Sequence, residues 1–265
     1  MRSEDRGFTY GDLLECIAVL RTRAYGKFLA ELISLVGYYV VDRDVKQMLS
    51  YLVRLGKVER RPAGKDTRYA VGGAGLSDPI VAAKVRKSRR RWRGTWRTLT
   101  YDVPTTHNAV RRGLVRRLRK MGFGELCAST WVSPYDWRAT LDRALSDAAC
   151  PGTFYHLESS SVELVPRRPD TGLTGVWVLE GVAAQYVQLA RQCTKALAAR
   201  GRSAARTRAR TLVAARKQLR LIEAEDPMLP AELLPGDWPR LQAVEAMQAL
   251  WGSVRREIYD QARLD

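Results

Sequence analysis

Trp96-Arg-Thr-Leu-Thr-Tyr-Asp-Val-Pro104 reads as a β-strand that runs into a proline. Aromatic and β-branched residues favour the pleated backbone, and Pro104 has no N–H to continue a central ladder. Asp102 therefore falls at the strand's C-terminal end. The next stretch, Asn108 to Met121, carries Val110, Leu114, Val115, Leu118 and Met121 at helical spacing, with Arg112, Arg116, Arg119 and Lys120 on the outer surface. Gly122-Phe-Gly-Glu-Leu126 then turns the chain back. Strand-like residues run from Glu125 to Val132, and Ala128-Ser-Thr-Trp-Val-Ser-Pro134 closes as a second strand. The spacing predicts a helix over 137–149 and strands around 153–158 and 161–165. Strands and helices alternating on one antiparallel sheet form a ferredoxin-like plan.

On the N-terminal side, residues 27–36 place Phe28, Leu29, Leu32, Ile33 and Val36 on one helical face. Gly37 to Val40 makes a short turn, and Asp42 is positioned to cap the next helix through its short carboxylate. That helix, 43–55, gathers Val45, Met48, Leu49, Leu52 and Leu55 on one side. Arg43, Lys46, Gln47, Ser50 and Arg54 gather on the other. Gly56 suits the helix end. Residues 58–71 read as strand, turn, strand with the basic tip Pro62-Ala63-Gly64-Lys65, and Gly72-Gly73-Ala74-Gly75 breaks the pattern. Helix, turn, helix, basic hairpin is the order of a winged helix-turn-helix, whose second helix enters the major groove of DNA. Beyond residue 176 the pattern is helical, interrupted by the proline-rich run at 226–239.

The expected fold class is thus α+β: an N-terminal winged helix-turn-helix over 1–83, a central ferredoxin-like α/β-plait over 84–172, and a helical C-terminal domain over 173–265. The 265 residues suffice for several cores.

Charge narrows the function. Lys and Arg total 45 against 28 acids, a net charge of +17. Such an excess points to a polyanionic partner, nucleic acid being the commonest. The bias is local: Asp102 is the only acid from Lys84 to Lys120, and Arg191 to Arg220 contains none. The second run, with Arg202, Arg206, Arg208, Arg210, Arg216 and Arg220, could hold phosphates or form a solvated face. The four cysteines form no CxxC pair, and the chain has only His107 and His156. Structural zinc, a disulfide framework and histidine-based catalysis are disfavoured, and a reducing cytoplasm is expected. The first residues lack the order of a secretory signal, no segment is apolar enough to span a bilayer, and neither a phosphate loop nor a nucleophile elbow occurs. The seven tryptophans read as core rather than as an acyl pocket.

The stretches TLTYDVP (98–104) and GFGELCASTWVSP (122–134), with the basic helix between them, resemble the core of PaaX-type transcriptional repressors of phenylacetate catabolism. That core is itself similar to a small CRISPR-associated ferredoxin-like protein. DPMLPAELLPGDWP (226–239) resembles the family's C-terminal signature, and the order of the three domains agrees. One departure is visible. The helix before the DP motif, LVAARKQLRLIEAEDP, lacks the His-Glu-aromatic-Arg element usual in the family.

The resemblance implies a homodimeric repressor of a catabolic operon, bound to a palindromic operator and released by a small effector such as an acyl-CoA. The residues expected to meet double-stranded DNA are Arg43, Lys46, Gln47, Ser50 and Arg54 on the helix, and Arg60, Arg61, Lys65 and Arg68 in the hairpin. No cofactor, metal, catalytic residue or membrane partner is expected. The rival readings are a non-catalytic DNA-binding scaffold and a metal-dependent nuclease using Asp102. In the CRISPR-associated relatives an Asp at this strand end can hold magnesium between two subunits. Against that, Asp102 stands alone among arginines and is expected to bond Arg97, Arg111 or a backbone N–H.

Overall fold

The computed structural model describes residues 10–20, 26–36, 42–63, 66–71, 78–147, 150–162 and 175–264. The expected turn at 37–40, the hairpin residues 64–65 and the glycine breaker at 72–75 lie outside them. So does most of the strand expected at 161–165; its first two residues are not in a strand. The chain divides into two compact units. One comprises residues 1–78, 185–220 and 239–265, the other 79–184 and 221–238.

The first unit opens with three helices, α1 (Tyr10–Leu20), α2 (Gly26–Val36) and α3 (Asp42–Arg54), followed by strands β1 (Val58–Ala63) and β2 (Asp66–Val71). The strands pair antiparallel from Val58↔Val71 to Ala63↔Asp66. α1 packs on α2 and β2, and α3 packs on β1. Leu13, Leu14, Ile17, Leu29, Leu32, Ile33, Leu49 and Leu52 are buried, so each helix contributes one apolar stripe. Three helices followed by a two-stranded hairpin is the element order of a winged helix.

Late segments complete this unit, among them most of α7 (Leu179–Ala198). α9 (Arg240–Leu264) packs on α2. In α8 (Ala204–Glu225), the Arg220 guanidinium is paired with Glu15, whose side chain is almost fully buried. Arg210 Nε donates to the Val36 carbonyl at 2.5 Å, and Arg208 pairs with Glu257. The basic run at 191–220 is therefore partly internal: three of its arginines satisfy carboxylates and a helix-end carbonyl.

The second unit begins with α4 (Pro79–Ser88), which spans the expected boundary at 83/84. Then come β3 (Trp96–Asp102), α5 (Asn108–Met121), β4 (Gly124–Cys127), β5 (Thr130–Ser133), α6 (Arg138–Asp147) and β6 (Thr153–Ser159). The sheet order is β4-β5-β3-β6 and every pairing is antiparallel. This βαββαβ arrangement is the ferredoxin-like plan, with one refinement: the region 124–133 is a hairpin of two short strands. Leu99, Tyr101, Leu114, Leu118, Met121, Trp131, Trp137 and Leu141 form the core between the sheet and its helices.

The DP motif docks on this domain. The Asp226 carboxylate accepts the Met228 N–H at 2.6 Å, and Met228 takes a φ of 58°. Tyr135 donates its hydroxyl to the Met228 carbonyl. Gly122, the left-handed C-cap of α5 with φ 85°, lies so close that a Cβ there would sit 2.3 Å from the Pro227 carbonyl oxygen. At Gly124 a Cβ would meet Val176 Cγ2 at 2.4 Å and Trp177 Cε2 at 2.7 Å, while Trp177 Nε1 donates to the Gly122 carbonyl at 3.1 Å. The GFG and DP motifs are thus two halves of one packing contact.

Candidate nucleic-acid interface

α3 sorts its residues by face as its sequence predicts. Leu49 and Leu52 are buried and Val45 and Met48 half-buried, while Arg43, Lys46, Gln47, Ser50 and Arg54 are all exposed. At 3.6 residues per turn these five form one continuous stripe. Together with Tyr51 they line an open depression of about 810 Å³. Asp44, in the first turn, is also exposed; a carboxylate there complements the helix dipole.

Three details refine the stripe. The Ser50 hydroxyl donates to the Lys46 carbonyl at 2.9 Å, so its hydrogen is already used. Tyr51 is 38% exposed, and the Arg54 guanidinium lies 5.4 Å from its ring centroid. Sequence alone does not single this aromatic out, because a tyrosine on a polar face looks like a stray core residue; its spacing from Gln47 and Arg54 is the signal that finds it. Leu55, expected on the apolar side, is 45% exposed, because the helix has ended at Arg54 and the chain turns toward Gly56 (φ 67°).

In the hairpin, Arg60 is exposed. Arg61 is exposed but ion-paired with Glu59, and Arg68 is half-buried. Lys65 lies outside the described residues. Arg61 and Arg68 are cross-strand partners, and the Glu59 carboxylate relieves the repulsion between such like-charged neighbours.

Asp102 departs from expectation. Its side chain is exposed, and among the described residues it makes no hydrogen bond or ion pair. The reason is the strand's alternation. Leu99 and Tyr101 point into the core with α5, while Asp102 faces the opposite side of the sheet, opposite Thr153. Arg97, the expected partner, is drawn to Glu158 at 3.4 Å. His107 is exposed, with Nδ1 3.0 Å from the Thr106 hydroxyl oxygen. Among the described residues no group of three or more His, Cys, Asp or Glu gathers as metal ligands would. All four cysteines are free. No described helix is long and apolar enough to cross a membrane.

The tryptophans are core residues in the main. Trp96 and Trp177 stack at 6.3 Å, Trp92 meets Trp96 edge-on at 4.9 Å, and Trp131 and Trp137 are buried.

Two family comparisons bear on this architecture. Residues 89–168 match the PaaX protein central Cas2-like domain, and residues 177–263 match the PaaX-like protein C-terminal domain. The chain belongs to the PaaX family. Among solved structures it is similar to an uncharacterized protein, Rv0674, from Mycobacterium tuberculosis. The TM-score is 0.56 at 23% identity, over 87% of this chain and 89% of that one. At that identity the likeness speaks for the fold alone. No curated protein matches in sequence. The two PaaX domains contain the GFG and DP motifs, so the contact between those motifs is internal to the part of the chain that the family match covers. The α3 face and the hairpin lie before it.

Proposed function

We propose that this PaaX-family chain is a DNA-binding transcription regulator of the cytoplasm, and a repressor rather than an enzyme. In this reading α3 enters the major groove. Arg43 and Gln47 reach base edges, where their planar groups can bond in pairs. Lys46 and Arg54 meet phosphates, and Arg60 leads the hairpin onto the flanking backbone, with Arg61, Lys65 and Arg68 behind it. Ser50 can only accept. The observation that carries the reading is the α3 stripe: five polar side chains exposed together on a helix whose opposite side is buried. Family membership and the net charge of +17 support it.

The protein acts as a homodimer on a palindromic operator, and a small effector such as an acyl-CoA alters its grip. The outer face of β6 supports self-association: Tyr155 and Leu157, which alternate onto one side of the sheet, are 57% and 54% exposed. Apolar side chains exposed side by side on a sheet suit an interface.

The test is a mobility shift with DNA from the intergenic region beside the protein's own gene, against random DNA of equal length. Arg43→Ala and Gln47→Ala are each expected to cost roughly 1–3 kcal/mol on the specific fragment and much less on random DNA. Equal losses on both would make these residues phosphate contacts. Equal binding of the two fragments by the wild-type protein would sink the operator reading.

A further inference from the structure

The second unit carries positive charge that its own structure does not use. Arg89, Arg90, Arg91 and Arg93 follow α4; Arg112 and Arg116 lie one turn apart on α5. All six are exposed, and among the described residues none of their side chains makes a hydrogen bond or ion pair. Three acids of this unit are engaged elsewhere, Glu125 with Arg119 at 2.9 Å, Asp136 with Arg138 at 2.8 Å, and Glu158 with both Arg97 and Arg138, and the exposed Asp102 pairs with none of the six. By contrast, arginines of the first unit such as Arg208, Arg210 and Arg220 are bonded within it. Arginines held together without counter-charge repel one another and the fold gains nothing from them, so an external polyanion is their natural complement.

We infer that α5 and the segment after α4 form a second nucleic-acid-binding surface, which grips the phosphate backbone of duplex DNA without reading its sequence. It rests on the DNA-binding reading above only for the choice of polyanion. Three observations favour a duplex. The cations are arginines, whose planar forks pair with phosphate oxygens. The exposed residues of α5 are Asn108, Ala109, Arg112, Arg116, Arg117 and Arg119, and after α4 they are Arg89, Arg90, Arg91 and Arg93; they include no aromatic on which an unpaired base could stack, since Trp92 is half-buried against Trp96. Nor do they include a large apolar side chain to enter a bilayer. Arg112 to Arg119 spans about 10 Å of helix axis, a length over which one DNA strand presents about three phosphates.

The experiment uses the full chain with Arg112→Ala and Arg116→Ala combined, and a separate variant in which both become Lys. A random 40-base-pair duplex, a single strand of the same length, and vesicles containing phosphatidylserine are titrated over a range of salt. Thermal melting confirms that the variants fold. The Ala variant is expected to bind the random duplex at least several-fold more weakly. Its log K against log salt slope should be lower by about 1.8, two phosphates' worth, and the Lys variant should keep most of the slope. An unchanged slope and affinity for the duplex in the Ala variant overturns the inference, whatever α3 does. So does a loss confined to vesicles or to the single strand. Failure of the operator reading looks different: the wild type would prefer no fragment, while the arginine-dependent slope would persist.

Discussion

The Tyr135 hydroxyl donates to the carbonyl oxygen of Met228, 93 positions further along the chain. Met228 has the only positive φ found on a non-glycine residue among those described, so the bond holds a backbone conformation that costs free energy on its own. Tyr135→Phe keeps the ring and removes the donor, leaving a buried carbonyl without this partner. We expect a loss of about 1–3 kcal/mol in unfolding free energy by denaturant titration. A loss below the error of the fit would show that water replaces the hydroxyl.

Gly124→Ala tests a neighbouring contact, where the GFG motif meets Val176 and Trp177. Its Cβ would overlap Val176 and the Trp177 ring at 2.4–2.9 Å. Gly124 itself has no unusual φ, so any cost is steric rather than conformational. Overpacking of this kind costs about 1–3 kcal/mol. Trp177 fluorescence should shift toward that of a wetter indole, and an unshifted spectrum with unchanged stability would show that the segment simply moves aside.

Lys84 supplies a pH dependence. Its side chain is fully buried, with Nζ donating to the Ala224 carbonyl at 3.1 Å. Burial pulls its pKa down to about 8, against the opposing pull of Asp226 and Glu223. Because the folded-state value lies below the unfolded one, near 10.5, the charged lysine costs stability below pH 8. That cost is relieved as the pH rises through the window between the two values. Relative to Lys84→Met, the wild type should gain on the order of 1–2 kcal/mol between pH 8 and 9.5. A gap that is flat or narrows the other way would mean that Nζ is hydrated or fully compensated.

Asp102→Asn should leave unfolding free energy within about 0.5 kcal/mol of wild type, as expected for an exposed residue without partners. Incubation with duplex and single-stranded DNA in magnesium or manganese should leave both intact. Metal-dependent cleavage that disappears in Asp102→Asn would return the protein to the nuclease reading.

The parts of the fold that could be read from the sequence are those where local signals agree. α5 announces itself by a five-residue apolar stripe and a capping glycine, and it forms over the expected residues. α1 was not legible as a separate element. Leu13, Leu14, Glu15, Cys16 and Ile17 are consecutive and all buried, so no periodicity separates an inner from an outer face. The β4–β5 hairpin was blurred because its turn, Ala128-Ser129, has neither glycine nor proline. On the proposed DNA face the helix stripe was readable, since periodicity is a local property. The state of the α8 arginines was not. Whether Arg220 meets solvent or Glu15 depends on a partner at the far end of the chain, and composition records only that the charge exists. Asp102 is a related case: alternation along β3 puts it on the face opposite Arg97, and strand register, which the sequence does not record, sets Glu158 beside Arg97.

The interleaved make-up of the first unit bears on how the protein is born. Its opening helices include α2, whose packing partner α9 lies far along the chain, and α1, whose buried carboxylate waits for Arg220. When a ribosome has delivered the segment up to residue 78, Glu15 lacks its Arg220 partner and α2 lacks its contact with α9. The ferredoxin-like sheet, by contrast, is strung along neighbouring residues and can close early. Synthesis therefore favours the ferredoxin-like sheet first, with the nascent helices of the first unit held open until α8 and α9 emerge. A chain cut short before α9 would be left with an unfinished winged-helix end rather than a smaller working protein, so the folded setting of α3 depends on the distant segment that carries α9.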